Sequence, residues 1–438
     1  MMFKNKIRAM RSDAGSNGWR ASLHGRWARN RWLLADQALV SGMNFLTTAM
    51  LARVLGIHNF GIFSVFYIAL QYLNSIQLAL IVGAMMTLAP QIQDAEEQQS
   101  FLRGMAGYQY AFSLVCGVAT ALVAVLEALH LLPWHTPTDI FLPFILTILC
   151  FQAQDWFRRY CYARNRSFTV FWNDLISYLG QVTAFVVLWR FHRITVDAAY
   201  YAIAATSFLA FAIGLVREDI KPAWHEVKSS VRHTWAMGRS LLIASQSQWL
   251  GSQGILLIVA AIAGVSATAG IRAAMTLMGP VNVLLQLLEN ILPVRAAQVF
   301  AARGEQQLTA YLRRTTIVLL SVIGVPILLA AIFARPIMSM VFGKAYGAFA
   351  ILVVWQGIYF WLGLICRQLM YYHRTVNNTA ALARTAIIVA TVSLAICLPL
   401  TWRYGATGGM LALDFGMLLN VLILRREMTI SRRRIIQV

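Results

Sequence analysis

The sequence is poor in charged residues, and acidic residues are the scarcest. Asp, Glu, Lys and Arg make up only 12% of the 438 residues, and 17 acidic residues stand against 37 basic ones. A soluble domain carries about twice that share of charge. Hydrophobic residues make up 59% of the chain, and the mean hydropathy is +0.63. This composition excludes an ordinary soluble globular protein and is typical of a polytopic membrane protein.

Motifs of catalysis and of metal binding are also missing. There is no Walker A run, no G-x-G-x-x-G, no H-E-x-x-H and no G-x-S-x-G. The five cysteines form no C-x-x-C pair and lie in or beside apolar runs, so we interpret them as packing residues. The eight histidines fall in loops or at the ends of apolar runs. We therefore expect a protein that is not an enzyme and that has no cofactor and no bound metal.

Long apolar runs are what the sequence does contain. Each is close to or above the ~20 residues that a helix needs to cross a bilayer. We count twelve, at residues 33–55, 62–86, 104–128, 140–163, 168–189, 198–216, 239–262, 271–298, 314–334, 348–370, 381–402 and 408–424. The predicted fold is an all-α polytopic membrane protein with about twelve transmembrane helices.

The basic residues are distributed unevenly over this topology. If the arm at residues 1–32 is cytoplasmic, 28 Lys and Arg lie on the cytoplasmic side and 7 on the outer side. This asymmetry predicts that both termini are cytoplasmic. It also explains the net charge of +20 by contact with membrane lipids, without a nucleic-acid partner. The arm has no apolar core and is not a secretory signal; its Arg-rich composition leaves a transit peptide as an alternative.

The spans divide into two halves around one polar link. We predict a basic arm at 1–32, a first lobe of six helices at 33–216, a cytoplasmic amphipathic link at 217–238, a second lobe of six helices at 239–424 and a basic cytoplasmic tail at 425–438. Both halves open with a glycine-bounded connection, from Gly56 to Gly61 and from Gly264 to Gly270. An acidic-Gln loop follows in each half. Six spans per half make the repeats parallel and pseudo-symmetric, with a central cavity between the lobes.

Polar residues within the spans are the candidate site. Such groups are costly against lipid, so they should face protein or a water-filled cavity. The candidates for the cavity are Asp36, Asn44, Arg53, Gln71, Asn74, Gln248, Arg272, Asn282, Gln286, Glu289 and Arg367. The candidates for ion coupling are Glu289, Asp414 and Asp174. Hydrogen bonds between helices remain an alternative for the polar face of span eight, and snorkelling to the interface remains one for Arg53 and Arg367.

A short motif on the first hairpin resembles a known family. The run AMLARVLGIHNFGIF contains Ala-Arg-x-Leu-Gly at 52–56 followed by Phe60 and Gly61. It resembles the first hairpin of the bacterial oligosaccharide flippases, which belong to the multidrug/oligosaccharidyl-lipid/polysaccharide exporter (MOP) superfamily. The resemblance implies a transporter of the bacterial inner membrane that moves an undecaprenyl-pyrophosphate-linked oligosaccharide by alternating access. The product would enter exopolysaccharide, capsule or O-antigen (lipopolysaccharide) biosynthesis, and a polymerase and a chain-length regulator are the implied partners.

Two other functions remain open at this stage. An ion-coupled multidrug or organic-cation antiporter of the same superfamily would need a more apolar cavity with one or two buried carboxylates, a role open to Asp36, Glu289 or Asp414. A membrane-embedded polysaccharide polymerase or ligase fits less well, because no predicted outer loop exceeds about a dozen residues. Arg53 and Arg272 favour the flippase, because a planar guanidinium pairs two phosphate oxygens at once.

Overall fold

The computed structural model describes residues 16–131, 138–164, 166–218, 220 and 222–436. Within these ranges the side chains are described except at 16–30, 33, 34, 283, 286, 287, 289–291, 379 and 431–436. The described residues form helices and short turns and no strand, so the predicted all-α architecture is confirmed.

The described residues contain fifteen α-helices. They are α1 Ser16–Gln77, α2 Gly83–Leu88, α3 Ala95–Ala128, α4 Phe141–Ala163, α5 Ser167–Asp174, α6 Gly180–Arg190, α7 Val196–Glu218, α8 Trp224–Trp249, α9 Ile255–Ala263, α10 Val265–Leu277, α11 Gly279–Ile332, α12 Ala334–Phe342, α13 Ala350–Thr375, α14 Thr379–Tyr404 and α15 Ala406–Ile436. Single π-helical turns at Leu78–Val82, Leu175–Leu179 and Leu250–Gly254 join α1 to α2, α5 to α6 and α8 to α9. A π-turn is a common position for a bend or a functional residue in a helix.

Nine helical segments of the described chain are long and apolar enough to cross a membrane. One of them, Ala35–Gln91, is bent at Gly56 and contains the first two predicted spans. Predicted span seven lies outside these segments, and only residues 292–298 of predicted span eight fall within one of them, Leu292–Ile332. Span eight is also interrupted: the sequence predicted one helix over 271–298, but α10 ends at Leu277 and α11 begins at Gly279.

Both predicted hairpins turn on a single glycine instead of a six- or seven-residue loop. Gly56 has φ 75° and ψ 170°, and Gly264 has φ 84° and ψ 166°. This backbone region is essentially restricted to glycine, which explains the residue at both positions. The helix resumes at the next residue in each case, so the predicted connections up to Gly61 and Gly270 are helical. The near-identical angles support the proposed internal repeat.

The predicted link does not lie apart from the bundle. Helix α8 runs from Trp224 into span seven without a break, so it crosses the predicted boundary between link and second lobe. Its first turns pack against α3, where a methyl group added at Gly104 would lie 2.2 Å from Ser230 Oγ. The Ala223 amide also donates to the Arg103 carbonyl, at 3.2 Å. The part of the link from Trp224 onward is therefore a continuous helical extension of span seven that is docked on the first half.

The main apolar core joins the two halves near the hairpin turns. One cluster of buried side chains includes Phe60 and Phe63 from the first half together with Ile271, Phe342 and Tyr346 from the second. A second cluster lies within the first half, around Trp156 and Phe157. The halves therefore meet at the end of the bundle that carries Gly56 and Gly264.

Candidate functional site

The two halves are closed against each other at this end. A methyl group added at Gly61 would lie 2.3 Å from the Val265 carbonyl oxygen, so the two hairpins touch through their backbones. Arg53 Nη1 donates a hydrogen bond of 2.9 Å to the Met340 carbonyl on α12, and the Phe60 and Tyr346 rings lie 6.3 Å apart. We call these three contacts the closure. Arg53 is thus placed at the closure, where it binds a backbone carbonyl of the other half.

Arg272 lies about 12 Å from the closure, towards the opposite end of the bundle; the distance is counted along α10 from Gly264 at ~1.5 Å per residue. Its Cζ lies 4.2 Å from the centroid of the Tyr67 ring, which is a cation–π contact. Its Nε atom is buried and has no hydrogen-bond partner. Among the described residues no carboxylate forms an ion pair with Arg272. Arg272 is therefore a partly buried cation with a fully buried Nε atom, and its hydrogen-bonding capacity is only partly used.

Span two presents a polar face beside this arginine. At 100° per residue, Tyr67, Gln71 and Asn74 fall within an arc of roughly 60° on α1. The side-chain oxygens of Gln71 and Asn74 are buried and accept no hydrogen bond from the described residues. Arg272, Tyr67, Gln71 and Asn74 form what we call the Arg272 site. Sequence reasoning missed Tyr67, although its position four residues before Gln71 could have indicated it.

Span seven packs against span two below the Arg272 site. Gln246 Nε2 donates to Ser75 Oγ at 3.1 Å, and the Trp249 and Tyr72 rings lie 4.7 Å apart. Closer to the end of the bundle opposite the closure, a methyl group added at Gly238 would lie 3.1 Å from the Leu80 carbonyl oxygen. The lower half of span seven is thus held by the first half of the chain.

Three further candidates are exposed polar side chains within the spans. They are Asn44 on α1, Gln248 on α8 and Asn282 on α11. Their distances from the closure are counted along the chain at ~1.5 Å per residue, from Gly56 for Asn44 and from Gly264 for Gln248 and Asn282. These distances are about 18, 24 and 27 Å. Amides at that depth are costly against lipid, which favours a water-filled cleft at this level. Gln286 and Glu289 also lie on α11, but their side chains are outside the described part of the structure.

Asp36 and Asp174 belong to a buried ionic network in the first half. Arg158 lies between them, with Nη2 3.0 Å from Asp36 Oδ2 and Nε 2.5 Å from Asp174 Oδ2. The Tyr162 hydroxyl donates to the same Asp36 oxygen at 2.5 Å, and Gln154 Nε2 donates to Asp174 at 3.0 Å. Both carboxylates are almost fully buried, at 1% and 0% exposure. In this conformation they bind an arginine of the protein rather than face a cavity.

The spacing of helical ion pairs predicts that Arg158 pairs with Asp155, three residues before it on α4. This prediction is wrong, because Asp155 pairs with Arg159, which lies four residues further along at 3.5 Å. Arg158 instead reaches Asp36, which is 122 residues away along the chain. Nothing in the local spacing indicated this partner.

The remaining two candidates lie in the second half. Arg367 is half-buried on α13, and its side chain is engaged in an interaction within the structure. Asp414 on α15 is 6% exposed, and neither of its oxygens has a hydrogen-bond partner. The structure therefore does not bring Asp414 together with the first-half carboxylates.

Comparison with known proteins finds similar structures but no similar sequences. No protein-family model matches the sequence, and no curated protein matches it. The lipid II flippase MurJ in an inward closed conformation has a TM-score of 0.64 at 12% identity, covering 89% of this chain and 87% of MurJ. An inward-facing multidrug resistance MATE family transporter of the MOP superfamily has a TM-score of 0.62 at 12% identity, covering 91% and 94%.

A third similar structure is also a MOP superfamily transporter. A MOP superfamily transporter from Pyrococcus furiosus, described by a reverse polarity of its binding pocket that suggests a different function, has a TM-score of 0.55 at 10% identity, covering 94% and 93%. Structural similarity at 10–12% sequence identity establishes the fold alone. The chain is a multi-pass membrane protein with the fold of the MOP-superfamily transporters.

Proposed function

We propose that this protein is a flippase that carries an undecaprenyl-pyrophosphate-linked oligosaccharide across the bacterial inner membrane by alternating access. The Arg272 site is the observation that carries the proposal. A partly buried guanidinium that has no carboxylate partner among the described residues is matched by an anionic ligand, and a pyrophosphate presents oxygens in the spacing that its planar fork binds. The unpaired amide oxygens of Gln71 and Asn74 are matched by sugar hydroxyl donors.

The charge of the site distinguishes a flippase from a drug antiporter. An organic cation would be repelled by Arg272, whereas a pyrophosphate would be attracted, and the interaction is strong because little water screens it. The antiporter alternative is supported by the MATE neighbour and by the unpaired Asp414 carboxylate. That carboxylate lies in the packed second half rather than beside the polar face of span two, so it is poorly placed to select a substrate.

The closure suggests how transport proceeds. With the predicted orientation, the hairpin turns lie on the outer side, so the contacts of Gly61 with Val265 and of Arg53 with Met340 seal the site from outside. The cleft that contains Asn44 and Asn282 then faces the cytoplasm and receives the head group. Rocking of one lobe against the other would break the closure and release the head group outside, while the lipid tail stays in the bilayer. The product would pass to a polymerase and a chain-length regulator for exopolysaccharide, capsule or O-antigen synthesis.

The decisive experiment is translocation of a fluorescent undecaprenyl-pyrophosphate oligosaccharide by the purified protein in liposomes. Arg272→Ala should lower the rate about ten- to a hundredfold, because a charge-assisted contact to phosphate contributes roughly 1.5–3 kcal/mol. Arg272→Lys should fall between the two, since it keeps the charge and loses the fork. The matched control is Arg190→Ala, which removes an exposed arginine at the end of α6.

Two results would contradict the proposal. One is translocation by Arg272→Ala at the rate of the Arg190→Ala control. The other is efflux of ethidium that depends on Asp414, with no translocation of the lipid-linked sugar; this result would favour the antiporter. Protein level and size-exclusion profile are compared for every variant, so that a folding defect is not mistaken for a transport defect.

A further inference from the structure

The first part of α8 carries a row of exposed basic and aromatic side chains on one side of the helix. At about 100° per residue, five exposed residues fall within an arc of about 80° and extend over about 22 Å of the helix. They are Trp224, Lys228, Arg232, Trp235 and Arg239, which we call the α8 stripe. The two tryptophans are 60% and 51% exposed. Between positions 224 and 239 no other residue falls within this arc, so the stripe contains no acidic residue.

The positive charge of the α8 stripe is not neutralised by the protein. In the part of the chain that the structure describes, Lys228, Arg232 and Arg239 form no ion pair with a carboxylate. The acidic residue of this part of α8 is Glu226, which points about 160° away from the centre of the stripe and contacts His225 at 3.4 Å. The stripe therefore presents three uncompensated positive charges on one side of α8.

The packing of α8 places the stripe at the predicted cytoplasmic boundary of the membrane. The His233 ring lies 5.9 Å from the Phe101 ring, just before predicted span three, and Gly238 lies against Leu80, near the end of predicted span two. Thr234 is 1% exposed and marks the side of α8 that packs on the first half, about 120° from the centre of the stripe. The stripe thus faces away from the protein at the level of the lipid head groups.

The combination of residues favours a membrane surface over a soluble anion. Lysine and arginine beside a bilayer attract the anionic head groups of the cytoplasmic leaflet, and the arginine fork pairs two phosphate oxygens at once. Tryptophan is enriched at the same level, because its ring has an apolar body and a polar N–H group. A soluble phosphate would be bound by the cations and would leave two large rings exposed to water. A lipid covers both parts of the stripe.

We propose that the α8 stripe binds anionic phospholipid head groups of the cytoplasmic leaflet and anchors the first part of α8 in the membrane surface. Helix α8 continues without a break to the π-turn at Leu250–Gly254. The anchor therefore holds the lower part of span seven and leaves this turn as the place where the span bends. The proposal does not depend on the transported substrate, so lipid binding tests it separately from the proposed function.

The binding test is a titration of the purified full chain with phosphatidylglycerol or phosphatidylcholine in detergent, followed by native mass spectrometry. The wild type should bind phosphatidylglycerol more tightly. Lys228→Gln/Arg232→Gln/Arg239→Gln should weaken this binding about fivefold for each cation removed, or roughly a hundredfold in all. These side chains are exposed, so the variant should fold normally, which its size-exclusion profile checks. A wild type that binds both lipids equally would overturn the proposal and leave the stripe to an acidic protein partner.

The matched control removes the same charge elsewhere on the predicted cytoplasmic side. Arg303→Gln/Arg313→Gln/Arg314→Gln changes three exposed arginines of α11 and should keep the affinity for phosphatidylglycerol within about twofold. An equal loss of affinity in both triple variants would show that net charge alone attracts the lipid, and this would overturn the site.

The tryptophans distinguish a lipid surface from a site for soluble phosphate. Trp224→Ala/Trp235→Ala should weaken binding of phosphatidylglycerol several-fold, whereas Trp189→Ala/Trp402→Ala, which removes rings that are 52% and 82% exposed elsewhere, should not. Free glycerol phosphate at the same concentration should not displace the lipid. Unchanged affinity in Trp224→Ala/Trp235→Ala, or displacement of the lipid by glycerol phosphate, would overturn the proposal.

The anchoring role is tested by hydrogen exchange in nanodiscs. The amides of residues 224–240 should exchange several-fold more slowly in bilayers that contain phosphatidylglycerol than in pure phosphatidylcholine. Lys228→Gln/Arg232→Gln/Arg239→Gln should abolish this difference, and the α11 triple variant should retain it. Equal exchange of the wild type in the two bilayers would overturn the anchoring role.

Discussion

Arg158 explains why two buried carboxylates are tolerated in the membrane part of the first half. Its guanidinium contacts Asp36 on α1 and Asp174 on α5, so three helices are joined through one side chain. A buried ion pair contributes little net stability when compared with apolar residues, but removing one partner leaves an uncompensated charge. The network therefore constrains the packing of α1, α4 and α5, and it depends on all of its members.

Replacement of Arg158 should reveal this dependence. Arg158→Ala leaves Asp36 and Asp174 buried and unpaired, so we expect a loss of about 3–5 kcal/mol and a clearly lower thermal unfolding midpoint in detergent, followed by tryptophan fluorescence. Arg190→Ala is the control, because this arginine is exposed at the end of α6 and its removal leaves none of the buried carboxylates described above unpaired. Adding Asp174→Asn to Arg158→Ala should restore part of the loss. Equal midpoints for the two single variants would disprove the role of the network.

At this scale the sequence predicted where polar residues lie but not what they bind. Arg272 and the amides of span two were identified because a polar side chain in a span is costly unless it faces protein or water. The partners of these side chains could not be predicted from the sequence. Arg158 and Asp36, for example, are 122 residues apart, and their contact depends on how α1 and α4 pack. The spacing of helical ion pairs predicts that Arg158 pairs with Asp155, three residues away. In the folded structure, Arg158 contacts the more deeply buried Asp36 instead.

At the scale of the element, glycine marks both the turns and the contact between the halves. The glycine pairs predicted a repeated hairpin, which the structure has, because only glycine adopts the backbone angles of Gly56 and Gly264. The length of the connection was overestimated, since hydrophobic patterning does not show whether a polar pair such as His58 and Asn59 continues a helix. The break at Met278 was likewise invisible in a run that reads as one amphipathic helix.

Gly61 should be essential for the closure, because its missing side chain lets α1 touch the Val265 carbonyl. Gly61→Leu would insert a side chain into backbone and should hold the hairpins apart. Cysteines at positions 53 and 340 report on this contact, since Arg53 reaches the Met340 carbonyl in the closed form. In a background without the native cysteines, a short thiol crosslinker should join them in the parent, and the yield should fall several-fold in Gly61→Leu.

Gly42→Leu is the control for that experiment, because it adds the same side chain to the same helix at a position with no atom within 4 Å of the added methyl group. Crosslinking in this variant should equal that of the parent. A high yield in Gly61→Leu would mean that the backbone contact is not required for closure. A reduced yield in both variants would point to a general loss of helix packing.

For the whole molecule, the arrangement of contacts indicates which side of the site is open. The halves meet through the closure at one end, while Asn44 and Asn282 are exposed nearer the other end. Span seven is divided between the halves: α8 packs on span two and α3, whereas α9 packs on the second half, with Val259 beside Gly409. Motion of one lobe against the other therefore has to bend span seven, and the π-turn at Leu250–Gly254 lies between its two parts.

Accessibility from the two sides of the membrane tests this arrangement as a whole. In a chain without native cysteines, Asn44→Cys and Asn282→Cys should react with a membrane-impermeant maleimide in inside-out vesicles and be protected in right-side-out ones. The reason is that the proposed cleft would be filled with water and that the closure would block it from outside. Arg193→Cys in the predicted outer loop and Arg426→Cys in the tail provide the two reference sides. Gly61→Leu should make both cleft positions reactive from outside. If neither position reacts from either side, these amides face lipid or a packed seam, and a transport pathway lined by them is excluded.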